Sequence, residues 1–99
     1  MQIRIKDKII GNTAISYEAG KECYNEIIKR IDEVEVIELD FEGVDYVITA
    51  FLNPIIGDLI INKGNEALNK IKIINANEEI IKKIKQVKDG ALLKREDMD

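Results

Sequence analysis

With 99 residues the chain is one domain, long enough to bury roughly two thirds of the surface its unfolded form exposes and to build one modest core. Its apolar residues are mostly Ile, Leu and Val, with no Trp, two Phe and three Tyr, so that core is aliphatic. The net charge of −4 argues against a general nucleic-acid binder, and the absence of His excludes imidazole-based triads and zinc sites.

In chain order, QIRIK at the start alternates Ile3 and Ile5 with polar residues, as a half-buried strand does. Asp7 and Lys8 turn it toward a second short strand around Ile9 and Ile10, ended by Gly11-Asn12. Tyr17, Tyr24, Ile27, Ile28 and Ile31 then recur at helical spacing and predict a helix over about 17–32, with Ser16 as N-cap and Gly20 weakening its first turns. VIELDF predicts a strand that places Ile37, Leu39 and Phe41 on one face and Glu38, Asp40 and Glu42 on the other, open to water. From about residue 50, Phe51, Leu52, Ile55, Ile56, Leu59 and Ile60 form a helical stripe that closes at Lys63-Gly64. Its start has two local solutions, Thr49 as N-cap or Asn53 as N-cap with Pro54 at the first helical position. A start near 50 keeps Phe51 and Leu52 in the stripe and leaves Pro54 to bend the first turn. IKII at 71–74 reads as a buried strand. Asn77-Glu78-Glu79 opens a last helix with Ile80, Ile81, Ile84 and Val87 inward; Gly90 interrupts it, and the final REDMD frays. Strands alternating with helices in this way predict a small α/β domain spanning residues 1–99, a central mixed sheet of about four strands carrying about three helices.

Charge is unevenly spread. From Ile31 to Asn62 there is no Lys or Arg, while Asp32, Glu33, Glu35, Glu38, Asp40, Glu42, Asp45 and Asp58 fall in that span; Lys82, Lys83, Lys85 and Lys88 follow later. A solvated acidic edge explains this, and so does a surface that selects a basic partner. Paired carboxylates are abundant, and Glu38, Asp40 and Glu42, which share one strand face, suggest acid–base or metal chemistry, yet they accompany no nucleophile and match no calcium loop. Cys23, the single cysteine, cannot form an internal disulfide, has no activating imidazole and suits a reducing cytosol. The N-terminal residues lack the order of a signal peptide, and Asn53, Gly57 and Asp58 break the longest apolar run well short of a membrane span. The expectation is a cytoplasmic protein, not an enzyme, without cofactor, bound metal, nucleic acid or membrane.

The stretch LDFEGVDYVITAFLNPIIGDL resembles the central strand–loop–helix of the STAS fold, and more closely a STAS-like family of unknown function, in which an L-D-F-x-G-V strand precedes an I-T-S-S-F-like turn. In element order the resemblance covers about residues 16–85; its specific part is 37–60. It implies a regulatory interaction module of the anti-sigma-factor-antagonist type, which meets a kinase-like ATPase or another regulator through the junction at 45–60. Asp40, Gly43 and Val44 match the family's strand and turn. Ile48 replaces the acidic residue of the phospho-regulated pattern, Thr49 and Ala50 replace its two serines, and Phe51 replaces its glycine. Ala50 holds the phospho-acceptor position and cannot accept a phosphate, which leaves Thr49 as the neighbouring candidate, with helix capping as its simpler role.

The expected partner surface is therefore Asp45, Tyr46, Val47, Thr49, Ala50, Phe51, Asn53 and Pro54, with apolar residues such as Tyr46 and Phe51 exposed. An alternative is a small-ligand or nucleotide-sensing domain that uses the same helix N-terminus as an anion cradle, although no Lys or Arg lies near it in sequence. A metal-assisted enzyme on Glu38, Asp40, Glu42 and Asp45 ranks last. Homodimerisation through the sheet edge or the junction is compatible with each reading.

Overall fold

The structure, a computed structural model, describes residues 1–98, with side chains as far as Arg95. β1 (Gln2–Arg4) runs into one turn of 3-10 helix (Ile5–Lys8) and then β2 (Thr13–Ala14), α1 (Tyr17–Arg30), β3 (Ile37–Asp40) and β4 (Tyr46–Val47). A long helical run follows, composed of α2 (Thr49–Leu52), a π-helical turn (Asn53–Asp58) and α3 (Leu59–Lys63). The short α4 (Asn65–Leu68), β5 (Ile71–Ile74) and α5 (Glu78–Met98) complete the domain.

The expected single mixed sheet is two parallel ones. β1, β3 and β5 form three strands with β3 central, and β2 pairs with β4 alone. They derive from two ribbons lying side by side, β1–β2 and β3–β4, which both leave the ladder midway. On the outer ribbon Lys6 Nζ donates to Gly11 O at 2.7 Å and to Asn12 Oδ1 at 2.5 Å, closing a turn whose Gly11 has φ +72. That turn throws Ile10 into solvent and moves the second strand from Ile9-Ile10 to Thr13–Ala14, so Gly11-Asn12 precede it instead of ending it.

Ile37, Leu39 and Phe41 are buried beneath the helices, as the alternation of β3 requires. On the opposite face Gln2, Glu38 and Lys72 stand in register; Gln2 and Lys72 are exposed. Parallel sheets are usually covered on both faces, and here the polar row takes the place of a second layer. β5 is a half-buried edge strand, not an enclosed one.

α1 is capped as expected, with Ser16 Oγ accepting from the Ala19 amide at 3.2 Å. Gly20 is buried where α1 meets the α2 backbone, and any Cβ there would collide with the Phe51 carbonyl. The bend expected at Pro54 takes the form of the π turn. Proline has no N–H for the Ala50 carbonyl and its ring crowds that carbonyl, so the ladder widens over Asn53–Asp58 before α3 resumes. Gly64, at φ +85, ends α3 and donates to Ile60 O at 2.8 Å.

The last helix also departs from expectation. Asn77 Oδ1 caps its start, accepting from the Ile80 amide at 2.9 Å, but α5 continues through Gly90 to Met98. Arg95 Nη1 donates to Ile60 O at 3.2 Å and Ile61 O at 2.6 Å, tying α5 to the end of α3. Ile81 lies outside the core, while Ile80 and Val87 lie within it. Asp99 and the side chains of 96–98 are outside the described residues, and with them the expected fraying. No described helix is long and apolar enough to cross a membrane.

Candidate interaction site at the β4–α2 junction

The junction begins in the turn after β3. Asp40 is buried although its neighbours on that face are not, which corrects the expectation of a fully solvated carboxylate row. Its Oδ1 accepts from Asn75 Nδ2 at 3.0 Å and from the Glu42 amide at 2.9 Å, and these bonds hold its pKa below the ordinary carboxylate value. Asn75 sits at φ +58 in the turn after β5, so Asp40 links the ends of two adjacent strands. This carboxylate is occupied in shaping the turn. Among the described residues no three His, Cys, Asp or Glu side chains are grouped as metal ligands would be.

β4 alternates sharply. Tyr46 is 44 % exposed and Val47 is fully buried. The first turns of α5 brace this strand. Asn77 Nδ2 donates to Asp45 O at 3.2 Å, and Lys83 Nζ donates to Val47 O at 2.7 Å while lying 3.8 Å from the centroid of the Tyr46 ring. The fold thus brings a cation to the junction, where the local sequence offers none. Lys83 was visible only as one of a cluster on a later helix; its reach depends on how α5 docks.

Thr49 does not cap the helix. Ile48 occupies the N-cap position, Thr49 is the first helical residue, and its exposed hydroxyl makes no capping bond. Ala50 is half-buried and Asn53 exposed, whereas Phe51 and Pro54 are buried. The expected partner surface therefore splits. Asp45, Tyr46, Thr49, Asn53 and part of Ala50 face outward; Val47, Phe51 and Pro54 belong to the core and cannot meet a partner without unfolding. The alternation that aims Tyr46 outward aims Val47 inward, and Phe51 is fully buried with its backbone seated against Gly20 of α1.

Two hollows flank the junction. One, of about 460 Å³, lies between the 49–61 helical run and α5, with Thr49, Asn53, Asp58, Gln86 and Lys94 around glycines 57 and 90. The other, of about 390 Å³, lies on the far side of β2 between residues 8–15 and α1. β2 places Thr13 beside Tyr46 in register, a neighbour that no local pattern announces. Cys23 is fully buried, and burial pushes its thiol up to about 11, which keeps it protonated and unreactive.

The family described as a STAS-like domain of unknown function (DUF4325) matches residues 19–80, from the first turn of α1 to the start of α5. The chain matches no curated protein and no solved structure.

Proposed function

Because the chain belongs to this STAS-like family, we propose that it is a regulatory protein-interaction module that engages a partner through Asp45, Tyr46, Thr49, Ala50 and Asn53. The observation that carries the reading is Tyr46, a large aromatic left 44 % exposed on a strand whose other side is anchored in the core. Such rigid, partly exposed aromatics supply the few strong anchors of an interface. The acidic residues around it, Glu42 and Asp45, would set association rate and preference for a basic partner more than affinity. A kinase-like ATPase of the cytoplasm is the partner class that the resemblance implies. In this reading Thr49 Oγ1, on an exposed residue and free of a capping role, forms a bond to the γ-phosphorus of ATP held by the partner as the bond to the β-phosphate oxygen breaks, ADP leaves and the hydroxyl proton is released. The added charge of about −2 two residues along from the Val47 carbonyl that Lys83 holds would rearrange the junction.

The test places a photo-crosslinking phenylalanine analogue at position 46 and, as control, at Lys29 on exposed α1 surface. One defined adduct formed in native cytoplasm at 46 and absent at 29 is the expected result. Equal labelling at both positions, or none, removes the junction as the partner surface. Phe51→Asp cannot serve here, because it places a charge in the core.

Lys83 favours a second reading, in which the junction holds a nucleotide or another anionic ligand. Thermal shifts with ATP, GTP and inorganic phosphate test it: a rise in melting temperature lost in Lys83→Ala supports it, and an unchanged melting temperature removes it.

A further inference from the structure

We propose that the free edge of β2 is a docking site for an extended peptide segment carrying aliphatic side chains flanked by Lys or Arg; the inference rests on the protein-interaction reading above. β2 pairs only with β4. That ladder uses the carbonyls of Asn12 and Ala14, which accept from the amides of Asp45 and Ile48 at 2.8 and 3.0 Å. Backbone groups alternate sides along a strand, so those of Thr13 and Ile15 face the other way. Among the described residues, no backbone bond outside the ladder engages them. An added strand would pair with them directly.

Beside this edge lies the 390 Å³ hollow, walled by Ile9, Ile10, Ile15 and Ala19. Ile10 is 97 % and Ile15 57 % exposed, so aliphatic surface stands in water next to unpaired strand backbone. The combination suits a strand with alternating side chains, one of which enters the hollow.

Charge decides the kind of segment. α1 carries Glu18, Glu22 and Glu26 at four-residue intervals beside Ala19. Glu26 pairs with Lys8 at 2.7 Å, and Glu18 is tied to the hollow by Ser16 Oγ, which donates to it at 3.0 Å. Among the described residues Glu18 and Glu22 have no ion-pair partner. On the α1 side of the hollow three carboxylates thus accompany the Lys8 ammonium, while Lys6 is spent on Gly11 and Asn12, and cations on either side of an aliphatic anchor complement that rim. A second copy fits less well, since pairing β2 with its twin turns the same carboxylates toward each other.

The test is an NMR titration of the full-length, ¹⁵N-labelled chain with the synthetic peptide KKVIVKK. Shifts confined to the amides of residues 8–19 are expected, with roughly tenfold weaker binding of EEVIVEE and likewise of KKPIPKK, whose two prolines remove two of the amide donors that an added strand offers. The double variant Ile10→Ser/Ile15→Ser, at two exposed positions, should weaken KKVIVKK roughly tenfold with an unchanged circular dichroism spectrum. Absence of shifts at about millimolar peptide, shifts elsewhere, or equal binding of KKPIPKK overturns the proposal. So does movement of the same amides on dilution of the free protein, which would identify a second copy as the occupant. Adducts at position 46 together with a titration that leaves the amides of residues 8–19 unmoved would remove the edge and leave the junction reading standing. Absence of those adducts removes the junction reading, while the titration still decides the edge.

Discussion

At Gly20 two demands on one residue conflict, and the tertiary one prevails. Alanine would raise the intrinsic helix propensity of α1 by about 1 kcal/mol. Its methyl group, however, would press into the Phe51 carbonyl, and backbone on both sides cannot yield as a flexible side chain would. Gly20→Ala should therefore lower stability by about 1–3 kcal/mol, seen as a lower urea midpoint at unchanged slope. A second residue-scale prediction concerns Asp40. Its pKa is depressed in the folded chain by Asn75 and by the Glu42 amide, so its contribution to stability is present above the unfolded carboxylate value near ~4. It is lost as pH falls through the lower, folded value. Asn75→Ala removes the larger cause and should move the onset of acid unfolding to higher pH, measurable by circular dichroism between about pH 2 and 5.

At the scale of elements, what the sequence discloses is what is local. Ser16, the apolar spacing of α1, the alternation of IELDF and the carboxylates opening α5 depend on residues within a few positions of one another, and each of these elements forms where expected. The misplaced features depend on side-chain contacts that apolar spacing does not encode, one reaching five to six positions along the chain and the other more than thirty. The second strand shifts because Lys6 closes a turn on Gly11 and Asn12, and Gly90 fails to end α5 because Arg95 reaches the carbonyls of Ile60 and Ile61. For the same reason Arg95→Ala should loosen the last turns of α5 and the end of α3 together. Stability should fall by about 1–2 kcal/mol, with faster hydrogen exchange at both segments. Replacing Gly90 by Ala meets no atom within 4 Å and should instead stabilise the helix slightly, by about 0.5–1 kcal/mol. Melting of the paired variants separates the two effects.

At the scale of the whole molecule, the candidate site was legible as a stretch of chain but not as a surface. LDFEGV and the following turn located the junction, yet which residues it displays was set by the alternation of β4 and by the packing of α1 and α5. Tyr46 emerged and Phe51 disappeared on those grounds, and Lys83 arrived from a helix more than thirty positions away. The open sheet face follows the same logic in reverse. Its row of Gln2, Glu38 and Lys72 is plainly polar in sequence, but only the parallel register puts those three side by side.

That register has a consequence for how the chain reaches its structure. Among the described residues every rung, from Gln2 with Glu38 to Thr13 with Tyr46 and Ile37 with Ile71, joins residues more than thirty positions apart, and no hairpin starts the sheet. The entropy of closing long loops must be overcome before any strand pair contributes, so the rate-limiting step waits on helices that have already collected the strands around them. Refolding should proceed over milliseconds to seconds, not microseconds, as stopped-flow mixing would record. During that interval isoleucine-rich segments such as IKII remain unpaired, and nascent chains would meet one another through them before they meet their own neighbours.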